Sequence, residues 1–519
     1  MSGLFSKFAT VGGASMASRV LGFFREALLA AALGAGPVAD VFYTCFRFPN
    51  LFRRLFAEGA FNIAFVPLFA KELEGGGEEA ARKFGQEVFS VLASWLLLFT
   101  ALAIFAMPWL VATVVAPGFV DTPEKFDLSV TMTRIMFPYL LCMSLVAMFS
   151  GVLNSLRRYF LAAIVPVLLN VILIAILVLG ITLDWPDRQI GLGLAIGVLI
   201  SGFVQLAFLA WGVWRVGLGF RLTLPRLTAP VKRLLVLMGP GLLTGGVLQI
   251  NLLIGTIIAT AQDGANALLN YADRLNQLPL GVIGIAVGVV LLPELSRALK
   301  ANDRDQAEQL QNRSLEFALA LTLPAAVGLM IIPEDIIRVV YERGAFSAQA
   351  TSDTARALVA FASGLPAYVM LKVFQPAFFA REDMRTPFKF SVVMVVTNIV
   401  LSLYLFPTMG HVAIAVATSI SAWVNLALLA GTLWRRGEFK PDNQTLKRLV
   451  LLLVSSLLMG GAILFLETLL APLLGGSFWP QLLSVAVMIA GGAVLYFAFA
   501  LMTGAMQASY AKRLLRRVS

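Results

Sequence analysis

The run Arg47-Phe-Pro-Asn-Leu-Phe-Arg-Arg-Leu-Phe-Ala-Glu58 holds the densest chemistry in the sequence. The guanidinium groups of Arg47, Arg53 and Arg54 and the carboxylate of Glu58 interrupt a stretch otherwise apolar enough to cross a membrane. An ionisable side chain at the centre of such a span costs about 2.5–3.5 kcal/mol, so it usually faces a bundle interior or a wet cavity. At helical spacing Arg47, Arg54 and Glu58 fall within about 40° of one another, and Arg53 points to the side. Arg54 and Glu58 are also an i, i+4 pair. Two readings stand: an amphipathic helix end at headgroup level, or a buried polar site.

The elements that would position these groups follow from composition. Of 519 residues, 59% are hydrophobic and 13% charged, which excludes a soluble domain and indicates a polytopic helical membrane protein. Spans of about 20 residues with short joints fit roughly fourteen helices into this length. They read as 8–33, 38–70, 86–115, 128–154, 159–183, 190–214, 231–261, 266–298, 315–340, 351–380, 387–407, 411–434, 446–470 and 479–504. No cleavable leader is evident, because the first apolar run carries Arg19 and Arg25 and lacks a cleavage site after it. Lys71–Lys83, glycine-rich and mixed in charge, reads as a solvated connector. The cysteines, Cys45 and Cys142, lie in apolar stretches and read as packing residues. His411 is the only histidine and sits at a loop edge, which argues against a histidine-based metal centre.

The net charge of +11 is explained by topology without nucleic acid. Joints on the side of the termini carry Arg157, Arg158, Arg215, Arg221, Arg226, Lys232, Arg233, Arg435 and Arg436, and the tail adds Lys512, Arg513, Arg516 and Arg517. Joints on the other side carry Asp121, Glu124, Asp127, Asp184, Asp187, Asp263 and Glu467. The positive-inside rule places both termini in the cytoplasm, and the basic tail supports that topology or contacts anionic lipid.

The chain also repeats itself. The sixth span lies over the twelfth without a gap, pairing Ala195 with Ala415, Ser201 with Ser421, Trp214 with Trp434 and Arg215 with Arg435. Nearby offsets pair Asn170 with Asn398, Gly34-Ala35 with Gly264-Ala265, Asp40 with Asn270 and Pro49 with Pro279. The expected architecture is all-α, with about fourteen transmembrane helices. Two six-helix lobes, 1–220 and 221–436, are related by a pseudo-two-fold along the membrane normal with a cleft between them. Residues 437–519 add two helices and the basic tail.

Charge inside the spans is concentrated in a few helices. The first has Ser18, Arg19 and Arg25, and the second has Asp40 and the run already described. The eighth has Asp273 and Arg274, and the tenth has Lys372. A cleft lined by these groups is mainly cationic, which suits a polyanionic head group because guanidinium forks bind phosphate oxygens bidentately. Helix breakers occur in the same region at Pro49, Pro279, Gly281 and Gly239-Pro240-Gly241. Gly281, Gly284 and Gly288 lie within a helix and read as packing glycines, not as a nucleotide loop. Asp273-Arg274 also fits a local ion pair, and Arg54 a purely structural role. An enzyme acting on a polyprenyl diphosphate would need convergent acids for magnesium or a histidine-centred site, so a non-enzymatic transporter is the expectation.

The sequence resembles the MurJ (MviN) lipid II flippases in Ser18-Arg-Val-Leu-Gly-Phe-Phe-Arg25, Gly34-Ala-Gly, Phe48-Pro-Asn-Leu-Phe-Arg-Arg-Leu-Phe-Ala-Glu-Gly-Ala-Phe61, Phe65-Val-Pro67, Tyr271-Ala-Asp-Arg-Leu275 and Leu291-Leu-Pro293. The resemblance implies the fold of the multidrug/oligosaccharidyl-lipid/polysaccharide exporter superfamily, and an appended helix pair forming a lipid-facing groove. It also implies inner-to-outer translocation of lipid II, the undecaprenyl-diphosphate-linked disaccharide-pentapeptide, in a bacterial cytoplasmic membrane. By position it assigns the cavity arginines to Arg19, Arg25, Arg53 and Arg274, with Asp40 and Glu58 as acidic companions; the charge pattern of the spans adds Asp273 as a further cavity acid and Ser18, Arg54 and Lys372 as secondary candidates. Its expected partners are lipid II, anionic lipids and other cell-wall synthesis proteins, for a chain acting as a monomer. No metal or cofactor is expected, and coupling to the membrane potential or an ion is left open. The alternative is a related exporter of another lipid-linked oligosaccharide or a drug.

Overall fold

A computed structural model describes residues 2–54, 61–301 and 303–506, and within them all side chains but those of residues 2–11, 63, 240–245, 248 and 282–290. Glu58, the basic tail and the packing of Gly284 and Gly288 lie outside the described residues. The described residues form helices and their joints, without strands. They include ten helices long and apolar enough to cross a membrane. The chain divides into two compact units, Met1–Ala267 with Gly344–Phe346, and Leu268–Arg343 with Ser347–Ser519.

The first unit holds α1 (Ser2–Leu33), α2 (Pro37–Arg53), α3 (Phe61–Phe105), α4 (Met107–Leu110), α5 (Pro123–Met136), α6 (Tyr139–Ser155), α7 (Tyr159–Thr182), α8 (Asp187–Arg215) and α9 (Ala229–Ala259). α1 packs on α7, α3 on α6, α2 on α5, and α8 on both α6 and α7. The α1–α2 joint turns on Gly34, whose φ is 58°. A Cβ there would stand 2.3 Å from the Ala345 carbonyl oxygen, so only glycine fits. Its repeat counterpart Gly264 shares the left-handed backbone, at φ 73°. Pro37 then opens α2 from a position where its missing N–H costs nothing. The core between α2, α3 and α5–α6 is aromatic: Phe48 and Phe52 lie 5.3 Å apart between ring centroids, and Phe52 lies 5.7 Å from Phe99.

The second unit holds the body of α10 (Ala265–Lys300), then α11 (Arg304–Ile331), α12 (Pro333–Tyr341), α13 (Ala348–Phe379), α14 (Arg385–Met409), α15 (His411–Arg435), α16 (Asn443–Leu474) and α17 (Phe478–Met502). Leu315, Leu365, Phe374 and Leu429 join α11, α13 and α15 in one core. Met459, Ile463, Met488 and Tyr496 pack α16 and α17 against each other and against α11. Large apolar side chains such as Phe105 (87%) and Tyr404 (78%) are left outside, the inverse of a water-facing surface.

Three expectations change. The connector 71–83 is solvated but nearly all helical, and the chain breaks there only at Gly77, where φ is 71° and ψ is −166°. The span read as 128–154 is one apolar stretch, Pro123–Ser155, but it carries a turn at Phe137-Pro138 between α5 and α6. The span read as 315–340 is α11 and α12, parted at Ile332-Pro333 because proline cannot donate to the preceding turn.

Candidate functional site

Two polar clusters are built inside the first unit. α1 presents Ser18 and Arg25 two turns apart, hence on one face, and buried Gly22 keeps that face low between them. Arg25 Nη1 donates to Asn170 Oδ1 on α7 at 2.9 Å. Asn170 Nδ2 in turn donates to the Ser18 carbonyl at 3.0 Å. Arg25 Nη2 donates to Glu26, which is 2% exposed and also accepts from the Tyr43 hydroxyl of α2. The Arg25 side chain is 11% exposed, and its Nε–H is buried without a hydrogen-bond partner. A buried cation is tolerable because Glu26 supplies the countercharge and Asn170 a neutral acceptor. Arg19, six residues earlier, is exposed.

The second cluster surrounds Asp40, which is fully buried. Lys125 Nζ of α5 donates to Asp40 Oδ2 and to Asp263 Oδ1, each at 2.7 Å. The second Asp40 oxygen accepts from the Asn266 backbone N–H at 2.9 Å. The Lys125 ammonium also lies over the Phe119 ring, 4.0 Å from its centroid. Asp40 thus faces a lysine where the sequence offered arginines.

α2 carries further arginines beyond these clusters' residues. Arg47 donates to Thr256 Oγ1 on α9 at 2.8 Å. Arg53 Nε donates to Asn50 Oδ1 at 2.7 Å, and Arg54 is exposed where the helix ends. In the second unit Asp273 and Arg274 are half-buried on α10, and Gln277, one turn on, donates to Asp273. Lys372 is exposed on α13, on the helical face that also carries Tyr368 and Gln375. Among the described residues no group of His, Cys, Asp or Glu side chains is placed to hold a metal ion.

The structure therefore joins Ser18 to Arg25 and places Asp40 elsewhere. It adds Glu26, Tyr43, Asn170, Lys125 and Asp263. Glu26 was legible as an acid inside the first apolar span, open to the argument applied to Arg25. Lys125 was legible only as the lone base in an acidic joint.

Known proteins resemble this chain over most of its length. A family model described as "Lipid II flippase MurJ" matches residues 29–484. "Probable lipid II flippase MurJ" of Rhizobium tropici is 50% identical over 518 residues, covering 99% of this chain and 97% of the relative. "Lipid II flippase MurJ" of Burkholderia cenocepacia is 36% identical over 466 residues, covering 88% and 89%. A solved structure, "Lipid II flippase MurJ, inward closed conformation", superposes with a TM-score of 0.78 at 26% identity, covering 95% of this chain and 98% of that one. An inward-facing multidrug resistance MATE transporter of the MOP superfamily shares the fold, with a TM-score of 0.66 at 16% identity over 81% and 94% of the two chains.

Proposed function

Because this chain belongs to the lipid II flippase MurJ family, we propose that it carries lipid II from the inner to the outer leaflet of the bacterial cytoplasmic membrane. It is an integral membrane protein of a transporter family. The observation that carries the chemical reading is Arg25, a cation kept inside an apolar bundle with part of its N–H fork uncommitted. A diphosphate is the natural ligand for such a fork.

In this reading Arg19, Arg25 and Arg274 hold the diphosphate and Arg53 captures it from the cytoplasmic side. Glu58 and Asp273 are the acids that exchange arginine partners as access alternates. Asp40 anchors Lys125 instead of an arginine. The polyprenyl tail stays in lipid while the head group takes the polar path. An inside-negative potential favours outward movement of an anionic head group by about 2.3 kcal/mol per charge per 100 mV. No metal or cofactor is called for, both termini are cytoplasmic, and the chain acts as a monomer among anionic lipids.

The test is leaflet-resolved labelling of lipid II in cells depleted of their own flippase, with and without a membrane potential. The wild-type chain should restore outer-leaflet lipid II, and Arg274→Ala should not. Restoration by an unrelated lipid-linked oligosaccharide exporter but not by this chain would reassign the substrate.

A further inference from the structure

We infer that Asn170 is a positioning residue for the substrate diphosphate, acting through Arg25; the inference rests on the reading of Arg25 given above. Asn170 is 6% exposed in the middle of α7, a helix whose remaining buried residues are Val165, Leu173, Leu177 and Gly180. A side-chain amide in such a place costs free energy unless both its ends are bonded. A packing asparagine can meet that need on its own helix. Asn170 instead sends both ends to α1: its oxygen takes the Arg25 Nη1–H at 2.9 Å, and its nitrogen gives to the Ser18 carbonyl at 3.0 Å.

That geometry fixes more than a contact between two helices. The Ser18 carbonyl orients the amide so that its oxygen, not its nitrogen, faces the guanidinium. Glu26, held from its other side by Tyr43, takes Nη2. With Nη1 and Nη2 each tied once, the plane and rotation of the Arg25 fork are set. The remaining N–H groups, including the buried unpartnered Nε–H, are aimed in a fixed direction. A buried donor without an acceptor is uncommon and invites a functional account. The part of the Arg25 side chain left exposed, 11%, is where an anionic oxygen meets the fork. Asn170 suits this task because it is neutral. Glu26 already supplies one countercharge, so a second carboxylate at position 170 would leave the cluster net negative and repel a diphosphate.

The test is equilibrium binding of fluorescent lipid II to the full chain in nanodiscs, comparing wild type, Asn170→Leu, Arg25→Ala and the double variant. Asn170→Leu should weaken binding about ten-fold and Arg25→Ala about a hundred-fold, with the double variant within about two-fold of Arg25→Ala, since residues acting as a unit are not additive. Asn170→Asp should also weaken binding while keeping the thermal midpoint, which separates loss of charge from loss of fold. Wild-type affinity in Asn170→Leu or Asn170→Asp, or losses that multiply in the double variant, would overturn the inference and leave Arg25 its role. Wild-type affinity in Arg25→Ala would overturn the underlying reading as well.

Discussion

Asn170 and Asn398 are the same residue at corresponding points of the sequence repeat, and they do different things. Asn170 accepts from a buried arginine and donates to a helix backbone. Asn398 Oδ1 lies 3.4 Å from the Ser402 hydroxyl of its own helix and 3.5 Å from the Thr418 hydroxyl of α15, which donates to the Ile414 carbonyl at 2.6 Å. Both are buried and both join neighbouring helices. The first stands beside the buried Arg25 guanidinium, and the second lies near the hydroxyls of Ser402 and Thr418. A buried asparagine serves helix packing in either place. What gives Asn170 a second task is its neighbour Arg25, retained inside the span despite the cost of burying a cation.

Breaking the charged side should have the largest effect. Arg25→Ala should abolish growth in cells depleted of their own flippase while inserting normally, as judged by membrane yield. Full complementation would make the two asparagine sites equivalent after all. Next comes the other charged cluster of the first unit. Lys125→Ala leaves the Asp40 carboxylate buried without its cation and should cost about 3–5 kcal/mol, seen as a lower thermal midpoint. Converting both partners, Lys125→Met with Asp40→Leu, should recover much of that loss.

At the second asparagine, Asn398→Leu should cost about 0.5–1.5 kcal/mol of stability, through the loss of its weak contact with Ser402. It should leave lipid II affinity at the wild-type value, so a ten-fold affinity loss would erase the contrast with Asn170. A comparably small effect is expected outside the membrane. Asp383, in the α13–α14 joint, is held down to about 2 by the Thr386 hydroxyl and N–H and by Arg436. Its depressed carboxyl stabilises the fold above the ordinary carboxylate value of about 4, and that contribution is lost as pH falls through about 2. Asp383→Ala should cost about 1 kcal/mol at neutral pH. The gap to wild type should close between pH 4 and 2 in a thermal melt.

Much of the fold was legible because each span is a local property. The apolar run 159–183 became α7 (Tyr159–Thr182), and 411–434 became α15 (His411–Arg435). The breaks at Pro138 and Pro333 were not resolved, since hydropathy is continuous across them and only the backbone path decides whether a proline bends or ends a helix. The candidate site was legible as a set of costly residues, Arg19, Arg25, Asp40, Arg53 and Arg274, each conspicuous in an apolar setting.

The sequence by itself determined that this is a membrane transporter of a recognisable family, and which residues carry charge where lipid disfavours it. Composition and spacing suffice for that, because the energetic cost of a buried charge belongs to the residue and its span. Only the tertiary structure decided how each charge is compensated. Lys125 meets Asp40 across 85 positions of chain, and Arg25 meets Asn170 across 145. Such pairings depend on which helices pack together and at what rotation, which no local pattern encodes. They turn an expected set of cavity acids and bases into two clusters, one joining Lys125 to Asp40 and Asp263, the other Arg25 to Glu26 and Asn170.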